Sequence, residues 1–441
     1  LRPRLPEWNG LSGLGLLDPW DLCRSEVEAR LYRRRSPLTT NRSRIGSKSR
    51  AISRLNTPAL VFGNDVTALG ALRSLHARDI PTTVASPSPA AERHSRWYVK
   101  APGETPAPNA GALQQYLEAH VEEGTVLFPT SDAFALGLAR LPESVRERWP
   151  TVAARADAME LLVDKALFAG LLQELDVPHP LTRPVDGVED MATLDRKRLE
   201  GCFLKPTDSQ RFFARFGVKA ARAATADEAV AWAEKSHEAG VALVVQEYVP
   251  GPGDLHYYVE GYATGDPQTT SWFARRRLRI YPPDFGNSTW MRSVPLDEVA
   301  PAKEALRRLL EHLEFRGIFS AEFKRDPRDG EFKLLEVNAR PWWYVEFAVR
   351  CGIDVVYQGY RDALGLPLEA LGPYDVGRSC VYPYYDFHAV RESRGLSSAV
   401  LNSLGWLGAW QPIFRWNDPG PALKAVSDIV LRRLRRSSSG K

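Results

Sequence analysis

Glu336, Asn338 and Arg340 stand at every second position of LLEVNARPWW, residues 334–343. A side-chain period of two puts all three on one face of a strand and Leu335, Val337 and Ala339 on the other. Upstream, GIFSAEFKRDPRDGEFK holds a second apolar-rich run that ends in a turn cluster, Asp326 to Gly330, which reads as a hairpin loop. A five-residue loop sets Arg325 opposite Glu331, gives the even-numbered residues of both strands a common face, and makes Glu322 a diagonal neighbour of Glu336, ~7–8 Å away at the backbone. Two carboxylates and an amide oxygen form an oxygen-only set, which suits Mg²⁺, a hard cation held by one or two carboxylates plus substrate phosphates. The competing reading is an antiparallel hairpin with one wet face, where Glu, Asn and Arg need no purpose. A slip of one residue sends the two glutamates to opposite faces.

The elements that must position this face are legible upstream. TPALVFGNDVTALGALRSLHARDIPTTVAS has the order strand, tight turn, amphipathic helix, strand, with Leu69, Leu72 and Leu75 spaced for a buried stripe. This is a βαβ unit and implies a parallel sheet. Its turn, Gly63-Asn64-Asp65, lacks a GxGxxG fingerprint, so no dinucleotide is assigned there; Asn64 and Asp65 are candidate substrate contacts. TVLFPTSDAFALGLARL repeats the theme, with Ser131 or Asp132 as helix cap. DKALFAGLLQELDVPHP is a helix with an Asp cap and Lys165 in its first turn, where a cation opposes the helix dipole and hints at a bound anion. In GCFLKP, Lys205 closes a short apolar strand before Pro206, so it either snorkels or meets a charged ligand. VALVVQEYVPGPGDLHYYVEGYA gives two strands broken by Pro250, Gly251, Pro252 and Gly253, with Glu247 before the break and Asp254 after it. That break is a natural hinge between two sheets. His256 reads first as structural and second as a nucleotide contact.

The chain has 441 residues, 44% hydrophobic and 25% charged, as in an ordinary globular protein with room for several domains. No apolar run approaches the ~18–20 residues of a membrane span, and the start lacks a signal-peptide core. Cys23, Cys202, Cys351 and Cys380 form no CxxC pair, so a zinc site is not expected and a cytoplasmic setting is. The net charge of +4 is uneven: residues 1–55 hold 12 Lys or Arg against 5 Asp or Glu, a net of +7, leaving −3 for the rest. The main body is therefore not a nucleic-acid surface, and the Arg- and Ser-rich stretch reads as a poorly ordered arm, 1–56, that is either solvated or in contact with phosphates or anionic lipid.

AEFKRD followed by LLEVNAR, with VVQEYVPG, FLKP and DKALF before them in that order, resembles the ATP-grasp ligases. The resemblance covers about residues 150–345, with residues 57–150 similar to the small α/β domain that precedes the grasp module. It implies mixed α/β and α+β architecture: a parallel-sheet domain at 57–150, an ATP-grasp module at 151–370 whose smaller lobe (about 160–245) and larger lobe (about 246–345) clasp ATP, and a C-terminal segment, 371–441, with a basic tail. FGNDVTALG and FRWNDPGPAL resemble the carboxylate–amine ligases of the D-aspartate ligase type. One departure is plain: where many grasp enzymes carry a glycine-rich flap, this chain reads TDSQRFFARFG.

The resemblance implies that Lys165 and Lys205 contact ATP phosphates, with Ser209 and backbone amides of the flap covering them. Glu247 would meet the adenine amino group, the backbone of Tyr248 and Val249 the ring edge, and Asp254 the ribose. Glu322, Glu336 and Asn338 would hold Mg²⁺, or Mn²⁺ in its place, Arg340 would face the transferred phosphoryl group and acyl phosphate, and Arg277 and Arg279 would meet the phosphates or the substrate carboxylate. The expected activity is ATP-dependent ligation of a small carboxylic acid, such as an amino acid, to an amine, with release of ADP and phosphate; the alternative is a regulatory or scaffold protein that keeps the nucleotide site without ligation. The expected partners are small molecules, with a homo-oligomer left open.

Overall fold

The computed structural model describes residues 56–88, 90–206, 212, 215–218, 220–266, 268–282, 286–368 and 371–438. The basic arm at 1–55, Cys23 and Ser209 lie outside the described residues. Strands β1 (Ala59–Phe62), β2 (Thr82–Ala85) and β3 (Val126–Pro129) form a parallel sheet in the order β2-β1-β3. All four residues of β1 are buried, as expected of a parallel strand covered on both faces. Helix α1 (Asp65–His76) returns the chain from β1 to β2. Gly63 turns at φ +129°, and a Cβ there would lie 2.0 Å from Thr130 Oγ1, so only glycine lets the ends of β1 and β3 meet. After β3, helix α2 (Asp132–Ala139) is capped by Ser131, whose hydroxyl accepts from Phe134 N; this leaves the Asp132 carboxylate available at the first turn.

The smaller lobe follows helix α3 (Lys165–Glu174), which Asp164 caps by accepting from the amides of Ala166 and Leu167. Its four-stranded antiparallel sheet runs β4-β7-β5-β6, from Thr182–Val185, Leu243–Gln246, Phe203–Pro206 and Ala221–Arg222. Helix α4 (Ala226–Glu238) packs on it through Ala229 and Ala233 over Leu204 and Leu243. Thr225 caps α4 by accepting from Glu228 N.

Past the Pro-Gly-Pro-Gly break the chain enters a second sheet, so the break does separate two sheets. Strands β8 (His256–Thr264), β9 (Ser271–Tyr281), β10 (Asn287–Ser293), β11 (Arg316–Arg325), β12 (Phe332–Asn338) and β13 (Ser379–Val381) assemble in the order β12-β11-β8-β9-β10-β13. β13 belongs to the C-terminal segment and pairs with β10. Helix α5 (Ala300–His312) buries Leu306 and Leu309. Helix α6 (Val345–Arg350) follows the β12 strand end and packs against α1, so that Val61, Leu72, Phe128, Val345, Phe347 and Ile318 share one core. No helix among the described residues is long and apolar enough to cross a membrane. Cys202, Cys351 and Cys380 are free and buried.

A fully buried arginine joins the first domain to the C-terminal segment. Arg73 donates from Nε to Asp418 Oδ2 (2.9 Å), and from Nη1 to Glu346 Oε2 (2.9 Å) and the Pro412 carbonyl (2.9 Å). Arg415 and Arg350 share Glu346, so removing Arg73 strands Asp418 and the carbonyl more than Glu346. Arg73→Ala should cost about 3–5 kcal/mol, read as a lowered midpoint in urea unfolding followed by near-UV circular dichroism.

Candidate active site

The β11–β12 hairpin differs from its sequence reading in a way that matters for chemistry. Arg325 pairs with Phe332, not Glu331, and the ladder continues Lys324↔Lys333 and Phe323↔Leu334. This is the one-residue slip that would separate the glutamates. A bulge then intervenes: Glu322 pairs with Glu336, leaving Leu335 as the extra residue, and Ala321↔Val337 and Ser320↔Asn338 follow. Glu322 and Glu336 are thus directly opposite rather than diagonal. Phe332, Leu334, Val337 and Ala339 are the buried residues of this stretch, a spacing of two, three and two that records the bulge; Leu335, expected on the packed face, is only half-buried.

Two facing carboxylates need cations, and four elements supply them. His256, at the start of β8, hydrogen-bonds Glu322 across 2.6 Å (Nδ1 to Oε1). Arg277 on β9 donates from Nη2 to the same oxygen at 3.2 Å, from Nε to Ser288 Oγ at 2.9 Å, and to the Tyr258 hydroxyl. From the smaller lobe, β5 brings Lys205 close enough for both glutamates to act on it, and α3 brings Lys165, whose Nζ donates to the Pro206 carbonyl at 2.7 Å.

The two carboxyls diverge in proton affinity. Burial pushes Glu322 up, but Arg277 and His256 outweigh it and hold the carboxyl well below the usual range. Glu336 is exposed to water by area, yet protein atoms surround its carboxyl closely enough to strip much of its hydration. Its pKa is raised, first by that enclosure and then by Glu322, against the pull of Lys205 and Asn338. Burial lowers Lys205 below an ordinary lysine while Glu336 and Glu322 oppose the change, and it lowers Lys165 with help from Lys205.

Asn338 links the next two residues of the set: its Nδ2 donates to Glu336 Oε1 (3.1 Å) and its Oδ1 accepts from Arg340 Nη2 (3.0 Å). The amide oxygen therefore faces Arg340, and it has to rotate to join a cation at Glu336. Arg340 is held as a fork by Asp132 of the first domain, Nε to Oδ1 at 2.7 Å and Nη2 to Oδ2 at 2.9 Å. Among the described residues no three His, Cys, Asp or Glu gather as a metal group. Two carboxylates and a rotatable amide fit a hard divalent cation that takes its remaining oxygens from a phosphate and water, and do not fit a zinc cage.

The remaining sequence-expected residues occupy the hinge side and the far end of β9. Glu247 accepts from Arg328 Nη1 (2.6 Å) and Leu181 N (3.3 Å), and the Val249 carbonyl from Lys324 Nζ (2.7 Å). Lys324 also sits 4.7 Å from the Tyr248 ring centroid, and on β11 it pairs with His256, so the hinge strand borders the carboxylates. Asp254 accepts from Arg276. Arg279 is drawn away from the set: its guanidinium binds Asp386 (2.8 and 3.2 Å) and Asn402 (2.9 Å) of the C-terminal segment and lies over Trp290. Residues with no motif complete the site, namely Tyr258 and Ser288, which orient Arg277, and Asp132, which holds Arg340. Beneath them Glu260 and Arg275 form a buried pair at 2.7 Å, with Ser320 on the carboxylate. Their only sequence signal is alternation: Tyr258 and Glu260 stand two and four residues after His256, and Arg275 two before Arg277.

A parallel-sheet domain followed by two antiparallel lobes that bring lysines and carboxylates together is the ATP-grasp fold. Solved structures agree on it: biotin carboxylase from Campylobacter jejuni (TM-score 0.57, 16% identity, 74% of this chain and 75% of that one), carboxyaminoimidazole ribonucleotide synthase from Aspergillus clavatus complexed with ATP (0.56, 14%, 75% and 82%) and L-amino acid ligase from Bacillus licheniformis (0.50, 14%, 70% and 74%). In sequence, the chain is 27% identical over 191 residues to D-aspartate ligase of Enterococcus faecium (strain Aus0004), an alignment spanning 41% of this chain and 45% of that protein. No family model matches.

The asymmetry of the carboxylates predicts opposite signs for two conservative substitutions. Glu322→Gln should destabilise the metal-free, nucleotide-free protein by about 1–3 kcal/mol, because the hydrogen bonds from Arg277 and His256 lose the negative charge that strengthens them and the buried guanidinium loses its counter-charge. Glu336→Gln should leave the thermal midpoint unchanged or raise it, because it removes one of two facing charges. Calorimetric scans at neutral pH of both variants check this, and equal losses would contradict it.

Proposed function

We propose that this chain is an ATP-dependent ligase that joins a small carboxylic acid, an amino acid by its similarity to D-aspartate ligase, to an amine through an acyl phosphate, releasing ADP and phosphate. The observation that carries the reading is the direct opposition of Glu322 and Glu336 on β11 and β12, within electrostatic reach of Lys205 on the smaller lobe. A binding-only module has no need to hold two carboxylates face to face at the cost of their repulsion. The alignment covers under half of D-aspartate ligase, so the acid and the amine are part of the proposal.

A carboxylate is a poor acylating agent because its leaving group would be oxide; phosphorylation by the γ-phosphoryl of ATP gives it a leaving group. That transfer is chiefly a matter of placement and charge. In this reading Lys165 and Lys205 meet the phosphates as point charges, and a bound polyphosphate would restore the charged form that burial disfavours. Glu247 accepts from the adenine amino group once Arg328 yields it, the backbone of Tyr248 and Val249 lines the ring, and Asp254 takes the ribose. Glu322, Glu336 and Asn338 would hold Mg²⁺, or Mn²⁺, which when bound neutralises charge on the β- and γ-phosphate oxygens. Arg277, fixed by Tyr258 and Ser288, would act on the phosphates or the substrate carboxylate from its place beside Glu322. Arg340 offers a planar fork for the acyl phosphate when it exchanges Asp132 for substrate, while Arg279 braces β9 from the C-terminal segment.

Purified protein with ATP, Mg²⁺ and a panel of amino acid and amine pairs should release ADP and phosphate in a coupled assay; AMP and pyrophosphate would reject the mechanism. Lys205→Ala and Glu336→Gln should each lower kcat by about 10²–10³, with circular dichroism unchanged. Binding of Mg-ATP without turnover over a broad panel would favour the scaffold reading instead.

A further inference from the structure

Helix α7 (Pro383–Arg394) and helix α8 (Leu396–Ser403) form a hairpin in the C-terminal segment. Its inner side is pinned at one buried carboxylate. Asp386 accepts from Arg279, from Thr289 Oγ1 (3.0 Å), from Asn402 Nδ2 (2.9 Å) and from Trp406 Nε1 (3.0 Å), and Ala399 is buried beside it. The outer side has no such partners. Leu396, Val400, Leu401 and Leu404 are 55–68% exposed, and Leu407, in the 3₁₀ turn that follows, is 90% exposed. Their positions, 396, 400, 404 and 407 with 401 beside them, make a continuous stripe at helical spacing.

The chemistry of the stretch points to the occupant. From Gly395 to Phe414 the sequence contains no Asp, Glu, Lys, Arg or His. Protein interfaces carry charged or hydrogen-bonding groups at the rim that set register and choose a partner; here the outward side offers leucine and valine with little else. A lipid surface asks only for apolar depth and a basic collar. The collar is two exposed arginines in the last turn of α7, Arg391 and Arg394, which outnumber Glu392 between them, whose carboxylate accepts from the Tyr281 hydroxyl at 2.6 Å. We propose that the outer side of the α7–α8 hairpin is a peripheral docking surface for a bilayer with anionic headgroups, its leucines entering the interfacial zone and its arginines meeting lipid phosphates. The hairpin lies in the surface and does not span it. This inference is independent of the ligase reading.

The test is co-sedimentation of the full chain with vesicles of phosphatidylcholine alone and of phosphatidylcholine with phosphatidylglycerol. The protein should pellet with the anionic vesicles and more weakly with the neutral ones. Leu401→Asp with Leu407→Asp should weaken binding about tenfold or more without moving the thermal midpoint, and Arg391→Ser with Arg394→Ser should remove the preference for anionic lipid. Leu407→Asp alone, at the most exposed of these side chains, serves if the pair does not fold. Absence of binding to either vesicle, or binding untouched by the leucine substitutions, would overturn the proposal. So would a dimer in sedimentation velocity that the leucine pair dissolves without any vesicle binding, which would assign the surface to a second copy of the chain.

Discussion

Two carboxylates placed opposite each other on adjacent strands repel, and the arrangement of the molecule can be read as the response. Glu322 is neutralised from within its own sheet by Arg277 and His256, which in turn are fixed by Tyr258, Ser288 and the backbone of β8. Glu336 has no such neighbour in the sheet and depends on Lys205 from the opposite lobe. The larger lobe thus arrives at the cleft with one compensated and one uncompensated charge. Lys205 of the smaller lobe acts on that remainder across the space between the two sheets.

The same division organises the rest of the fold. The first domain contributes Asp132, left free of capping because Ser131 does it, and this carboxylate holds Arg340. The C-terminal segment contributes β13 to the sheet edge and Asp386 to the far end of β9. β9 therefore carries arginines with three distinct duties: Arg275 is buried against Glu260, Arg277 faces the carboxylates, and Arg279 anchors the α7–α8 hairpin. Alternation along one strand separates the core arginine Arg275 from its neighbour Arg276, which binds Asp254 at the hinge.

Much of this was legible because local chemistry agreed with global placement. The βαβ unit, the Asp164 cap, the strand ending at Lys205 and the Pro-Gly-Pro-Gly break all announce themselves by period or by residue type. The register of β11 and β12 was not, because Leu335 is apolar and imitates strict alternation; the true packed set, Phe332, Leu334, Val337 and Ala339, skips three residues at the bulge. The partners of Arg340 and Arg279 were hidden for a different reason. They come from 208 and 107 residues away, and a long-range ion pair leaves no trace in the spacing of either residue. Arg279 looked equivalent to Arg277 in sequence, yet the two point to different parts of the molecule.

The buried Arg73 has a temporal consequence. Its partner Asp418 lies 345 residues further along the chain, and the carbonyls of Pro412 and Ile413 that it also binds are nearly as distant. As the polypeptide leaves the ribosome, the parallel-sheet domain is complete in strands and helix long before that guanidinium can be satisfied, and a buried cation without its acceptors is costly. Until the chain is made as far as residue 418, the Arg73 side of α1 lacks the full set of acceptors that bury it and faces water, so this side of the first domain is covered only when the C-terminal segment docks on it.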